Sequence, residues 1–349
     1  MNILRRHVVA AAALGVVLGV GAPGRAESYR VERVFGGVGW VGKEQHTPTD
    51  IVVEEDSPNS KLETRKSKTE APPSPVPSPS RGEGGRGAAA GHFYVVQWRN
   101  SYVKKFRRDG TFVDWFGESR AWGGTFASPY GIAQARDGHL YLTLDGLSRI
   151  FVMTTDGGKV RTFGSKGSGD GQLNRPKGIA CSPVDGLLYV VDRYNFRIQV
   201  FDTDGNLKRK WGTMGSAPGE FYLARGIAID ADGNVYVADT YNHRVQVFTA
   251  AGKFIRAFGK RGAGDGEFKY PSGIAIGPKG RVFVTDAGNG RVVCFTKEGK
   301  FRFAIGRRGT KPGEFNQPLG ITVDSRERIW VADTMNHRVQ VLAPERDKE

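Results

Sequence analysis

The sequence predicts an all-β fold, a six-bladed β-propeller of four-stranded antiparallel blades, and three observations carry that prediction. A Gly-Ile marker opening a β-type run recurs as Pro129-Tyr-Gly-Ile132, Pro176-Lys-Gly-Ile179, Ala224-Arg-Gly-Ile227, Pro271-Ser-Gly-Ile274 and Pro318-Leu-Gly-Ile321. Their first residues stand 47, 48, 47 and 47 apart, and a period of about 40–50 residues means a propeller or an array. Each unit holds four short runs rich in Val, Ile, Phe and Tyr, except the last, which lacks its fourth while the N-terminus carries a spare.

The unit is clearest at 226–258, with runs at 226–230, 235–238, 244–248 and 254–258. Asp232-Gly233 and Ala251-Gly252 put Gly where a tight hairpin needs positive φ. The connection from Asp239 to His243 is longer and polar. Such a meander cannot bury both faces alone, so the units must pack on one another.

Taken in order, residues 1–26 read as a secretory signal. Arg5 and Arg6 precede the apolar run 8–20, and Gly24-Arg25-Ala26 offers small residues at a cleavage point. That run has 13 residues, short for a membrane helix, which needs about 20. The expected product is a secreted or periplasmic chain with no membrane span after cleavage. Residues 29–37, YRVERVFGG, match fourth strands such as 254–259. The unit from Pro318 stops after its third run at 338–342, so the N-terminal run is expected to complete it. Closure of this kind leaves only short, protected sheet edges.

A further marker lies at Pro48-Thr-Asp-Ile51, 81 residues before Pro129, a surplus of 34 over the period. The 34 residues 57–90 contain APPSPVPSPSRGEGGRG and almost no large apolar side chains. They read as a disordered Pro/Ser/Gly/Arg-rich insertion in a hairpin turn of the first blade, where long excursions are entropically cheap. Removing them joins IVVEED to GHFYVVQW and restores strand, turn and strand. The propeller is therefore expected to span 27–349.

The net charge is +15; the signal contributes +3 and the insertion +3, leaving +9 on the propeller. That balance favours anionic partners. Cys181 and Cys294 fall two blades apart, too far in the predicted ring for a disulfide, and read as small buried side chains. There is no CxxC, GxSxG, HExxH or phosphate loop with its Lys. The segments GSGDGQ and GAGDGEF connect blades rather than a strand to a helix, so no helix N-terminus awaits a phosphate.

The segment GNVYVADTYNHRVQVF, with Asn242-His243-Arg244 and Asn336-His337-Arg338, resembles the NHL repeat, and the resemblance runs from Tyr29 to Leu342 apart from the insertion. It implies the same six-bladed ring but no single function, because propellers serve unrelated roles. Among relatives, the peptidyl-hydroxyglycine amidating lyases hold zinc mainly through His at the marker positions. Here those positions are Thr49, Tyr130, Lys177, Arg225, Ser272 and Leu319, which cannot supply the three or so protein ligands of a catalytic zinc. Some animal members bind RNA through a basic face; the expected export argues against nucleic acid here.

A recurrent Asp is followed five residues on by Arg: Asp192 and Arg197, Asp239 and Arg244, Asp286 and Arg291, Asp333 and Arg338. These pairs are expected to be structural, fixing a loop, and Asp145 with Arg149 reads as the second-blade version. Function should instead show as departures from the repeat. The Gly-rich loops and the loops between second and third strands are expected to share one face. Its candidates are Trp98, Arg99, Lys177, Arg193, Tyr194, Arg225, Tyr241, His243, Met335 and His337. No catalytic residue is assigned. The expectation is a monomeric, non-catalytic binding or scaffold module for a protein, a peptide or an anionic cell-envelope polymer. No cofactor is expected; zinc, or calcium at Asp170 or Asp265, is the weaker alternative. A propeller lyase or hydrolase is the runner-up.

Overall fold

The computed structural model describes residues 28–36, 47–54, 91–117 and 128–345; the signal expected at 1–26 and the insertion at 57–90 lie outside them. The described residues form six four-stranded antiparallel sheets. The innermost strands are Pro48–Val53, Pro129–Gln134, Ile179–Cys181, Ile227–Ile229, Pro271–Ile276 and Pro318–Val323. Each packs beside the next, and the sixth meets the first. This is the expected six-bladed propeller.

The N-terminal strand Tyr29–Gly36 pairs antiparallel with Arg338–Pro344, the third strand of the sixth blade, and becomes its fourth. Its two ends anchor different neighbours. Tyr29 packs on Phe283 and Phe303 of the fifth blade, with ring centroids 6.3 and 5.7 Å away. Phe35 stacks on Phe93 of the first blade at 5.4 Å and on Trp330 at 6.0 Å.

Six buried apolar clusters hold the ring together, one at each blade junction. The strands alternate, so each blade offers one apolar row to each neighbour. On the face opposite the Gly-rich loops, buried tyrosines tie blades by hydrogen bonds. Tyr94 donates to Thr155 O at 3.1 Å and Tyr236 to Lys297 O at 3.2 Å. Cys181 and Cys294 are both free thiols.

At the centre the inner strands come so close that five blades carry Gly in or just before them: Gly131, Gly178, Gly226, Gly273 and Gly320. A Cβ on Gly226 would lie 2.2 Å from Ser272 O, and one on Gly178 2.5 Å from Arg225 O. The first blade departs, with Asp50 at the equivalent position. Its carboxylate accepts the N–H of Ile51 at 3.0 Å and of Ile132 in the next blade at 3.1 Å. Burial outweighs those two bonds and pushes its pKa up to about 7.

Candidate functional site

In blades three to six the second strand ends in a fully buried Asp that organises the loops of one face. Asp239 accepts from Tyr222 N at 2.8 Å, Asn242 Nδ2 at 2.9 Å, Arg244 Nε at 2.9 Å and Gln246 Nε2 at 3.1 Å. The matching Arg–Asp distances are 2.8 Å at Arg197–Asp192, 2.9 Å at Arg291–Asp286 and 2.6 Å at Arg338–Asp333. Asn195, Asn242, Asn289 and Asn336 each donate to a Gly carbonyl of the preceding Gly-rich loop. One carboxylate thus pins both loops of a blade.

The second blade differs from the sequence expectation. There Arg149 pairs across the turn with Leu144, not Asp145, whereas Arg197, Arg244, Arg291 and Arg338 pair with the buried Asp. Asp145 therefore stands one residue further along, at the position of Arg193, Thr240, Ala287 and Thr334. It makes ion pairs with Lys177 (Oδ1 to Nζ, 3.4 Å) and Arg175 (Oδ2 to Nη2, 3.3 Å).

That position opens on a funnel at the mouth of the central channel, a cavity of about 660 Å³. Marker positions supply Thr49, Tyr130, Lys177, Arg225 and Leu319; the loops after second strands supply Trp98, Arg99, Asp145, Arg193, Tyr241, Ala287, Gly288, Thr334 and Met335. The residue before each marker adds more. Arg175, Tyr270 and Gln317 adopt left-handed backbone, with φ of 52°, 57° and 50°, and all three line the cavity.

The wall is asymmetric. Blades two to four contribute Tyr130, Asp145, Arg175, Lys177, Arg193, Arg225 and Tyr241, while blades five and six contribute Ala287, Gly288, Leu319, Thr334 and Met335 beside Tyr270 and Gln317. With Arg99 of the first blade, five cations face a single carboxylate among the described residues. Lys177 is almost wholly buried, and its Nζ lies 3.7 Å from the Tyr130 ring centroid. Burial, with the charges of Arg193 and Arg225, lowers its pKa to about 7 against the pull of Asp145. Burial and Arg225 also lower that of Arg193, although a guanidinium stays charged in proteins. Among the described residues, the buried Nε atoms of Arg193 and Arg225, the Tyr130 hydroxyl and Trp98 Nε1 find no hydrogen-bond partner.

An aromatic rim runs outward from the funnel edge, where Tyr241 and Tyr270 line it. Phe196 stacks on Tyr222 at 6.2 Å, Tyr222 meets Tyr241 at 5.8 Å, Tyr241 meets Tyr270 at 5.3 Å, and Tyr270 meets His243 at 4.8 Å. Tyr194, Tyr222, Tyr241 and Tyr270 are exposed.

Of the residues singled out from sequence, Trp98, Arg99, Lys177, Arg193, Arg225, Tyr241 and Met335 line the funnel. Tyr194 lies beside it, with the guanidinium of Arg193 5.2 Å from its ring. His243 and His337 are outside it, as left-handed caps of 3-10 turns with φ of 57°, and His243 Nδ1 accepts the N–H of Tyr270. The sequence reading missed Asp145 and Tyr270 as funnel residues, and noted Tyr130 and Arg175 without assigning them. Among the described residues no group of three or more His, Cys, Asp or Glu could hold a metal ion.

Comparison with known proteins agrees with the fold. Residues 173–201 and 221–248 match the NHL repeat, and residues 278–341 match a 6-bladed beta-propeller family. No curated protein matches the chain. Among solved structures it is similar to a catalytically inactive virginiamycin B lyase from Staphylococcus aureus with quinupristin, at 17% identity and a TM-score of 0.55, covering 90% of this chain and 99% of that one. It is similar to a nidogen/laminin complex chain at 18% identity and a TM-score of 0.53, covering 69% and 84%. An auxiliary nutrient binding protein from Bacteroides thetaiotaomicron gives 16% and 0.54, covering 73% and 66%. At these identities the likeness shows the fold alone.

Proposed function

Because the chain is a six-bladed β-propeller carrying NHL repeats, we propose that it is a non-catalytic binding module whose funnel receives an acidic group of its ligand. The observation that carries this reading is the charge of the wall, where Arg99, Arg175, Lys177, Arg193 and Arg225 face Asp145 alone among the described residues. Two of those cations have a buried Nε with no partner among the described residues, and a carboxylate or phosphate would satisfy such donors by charge-assisted bonds. The exposed tyrosines would add contact area around the anchor, the residue type most common with Trp and Arg at interface hot spots. A protein, a peptide or an anionic cell-envelope polymer suits this arrangement, and an exported, monomeric module is the setting in which it would act.

The test is parallel calorimetric titration of poly-L-glutamate, alginate and neutral dextran. Binding of either polyanion, weakened by salt and absent for dextran, is expected. Equal binding of all three, or of none, would count against the funnel as an anion site.

One observation favours the runner-up, a lyase or hydrolase. Lys177 lies 3.4 Å from Asp145 with its pKa lowered to about 7, the range suited to a general base. Near-stoichiometric zinc or calcium in the purified chain, lost together with turnover on chelation, would favour that reading over the binding module.

A further inference from the structure

We propose that Lys177 is a carbonyl-capturing amine, condensing with the aldehyde or keto group of a small oxoacid whose carboxylate is held by Arg193 and Arg225. The inference rests on the reading of the funnel as an anion pocket and goes one step beyond it.

Three features of the geometry support it. The Lys177–Asp145 pair is not part of the repeat. The other marker positions carry Thr49, Tyr130, Arg225, Ser272 and Leu319, and Asp145 is displaced by one residue from the buried Asp of its sister blades. The fold is built five times without such a pair. Next, Lys177 is buried but lines the cavity with Arg193 and Arg225, so a ligand anchored by the guanidiniums lies beside the amine. Lastly, Asp145 Oδ1 is 3.4 Å from Nζ, close enough to relay a proton after a small movement.

A Lys beside other cations is the arrangement in which an amine becomes nucleophilic near neutral pH. Here Arg193 and Arg225 press on Lys177 in that way, as burial does. The neutral Nζ adds its lone pair to the carbonyl carbon, forming a C–N bond. Asp145 relays one proton from the nitrogen to the former carbonyl oxygen, giving a neutral carbinolamine. A proton from solvent then lets the C–O bond break, water leaves, and an iminium remains. One amine, one carbonyl and one proton give one iminium and one water. The iminium carries beside Asp145 the same positive charge as the ammonium form of Lys177.

The test is reductive trapping on the full chain. Glyoxylate with cyanoborohydride is compared with acetaldehyde, an uncharged carbonyl, and with glyoxylate plus excess acetate, an anion that cannot condense. Peptide mapping locates the adduct. The reduced adduct is expected at Lys177 ahead of the surface lysines, at least about tenfold faster with glyoxylate than with acetaldehyde, equivalent to roughly 1.4 kcal/mol of recognition. Acetate should slow it, Arg193→Ala/Arg225→Ala should abolish the preference, and Lys177→Arg should lose the adduct while melting as the parent does. Asp145→Asn, which keeps the shape, should slow trapping if Asp145 is the relay. Adducts spread over surface lysines with Lys177 untouched, while calorimetry still shows glyoxylate bound and displaced by acetate, would overturn the amine proposal and leave the anion pocket standing. Neither binding nor labelling would overturn both.

Discussion

The ammonium of Lys177 lies 3.4 Å from the carboxylate of Asp145, its one acidic partner among the described residues, within a wall of Arg99, Arg175, Arg193 and Arg225. Its pKa of about 7 gives anion binding a pH dependence. The charged form attracts a carboxylate, so a bound anion raises that pKa and takes up a proton. Affinity for poly-L-glutamate should fall by about fivefold between pH 6 and 8, with a linked pKa shift of about one unit. Calorimetry in buffers of different ionisation enthalpy reads the proton uptake directly. Lys177→Gln should flatten the profile.

The two classes of Asp separate in their effects on stability. Asp239→Ala leaves Arg244, Asn242, Gln246 and the Tyr222 N–H without their shared acceptor, and breaking a buried pair in this way costs about 3–5 kcal/mol. Asp145→Asn removes no loop staple but loosens a buried contact with Lys177, so it should cost about 1.5–3 kcal/mol, as for one hydrogen bond to a charged group. Urea unfolding of the two variants decides. Equal destabilisation would mean that Asp145 is structural after all.

This contrast also shows how far the sequence could be read. The period, the six units and the completion of the last blade by residues 29–37 follow from spacing and strand patterning alone. Asp145 was misread because the nearest Asp before Arg149 was paired with it. The five-residue spacing kept by the other blades points instead to Leu144, and that was the available signal. Tyr270 and Arg175 carried no such signal. A left-handed backbone at a residue other than Gly, which turns their side chains into the funnel, is not written in residue type. His243 and His337 looked polar and exposed, but their backbone geometry as caps accounts for them.

Ring closure predicts that the N-terminal strand is indispensable. Phe35 is buried against Phe93 and Trp330, and Phe35→Ala should cost about 3–5 kcal/mol, the usual penalty for emptying a core aromatic site. Deleting 29–36 should abolish cooperative thermal unfolding. Deleting 57–90 should leave the melting temperature nearly unchanged, since the hairpin it would interrupt is already bonded from Glu54 N to His92 O. A harmless deletion of 29–36 would refute closure.

Asp50 predicts a pH effect of opposite origin to ordinary acid denaturation. Its pKa is about 7 in the folded chain against 3.8 for the free side chain, so the folded state holds the proton more tightly. The associated stability is fully present below pH about 4 and is lost as pH rises through 7, by about 1–4 kcal/mol. Asp50→Asn should remove that slope and stabilise the protein at pH 8. A stability profile between pH 4 and 8 that the variant leaves unaltered would show that Asp50 does not titrate in this range.

The funnel as an anion site is tested most directly by titrating poly-L-glutamate into three proteins: the parent, Arg193→Ala/Arg225→Ala, and Lys279→Ala/Lys297→Ala. The last removes the same charge from the hairpin face opposite the funnel. The funnel variant should bind at least about tenfold more weakly, in line with roughly 1.5–3 kcal/mol for hydrogen bonds to charged groups, and the opposite-face variant as the parent does. Equal weakening of both would mean that net charge alone attracts the polymer, and the funnel would lose its claim to be the binding site.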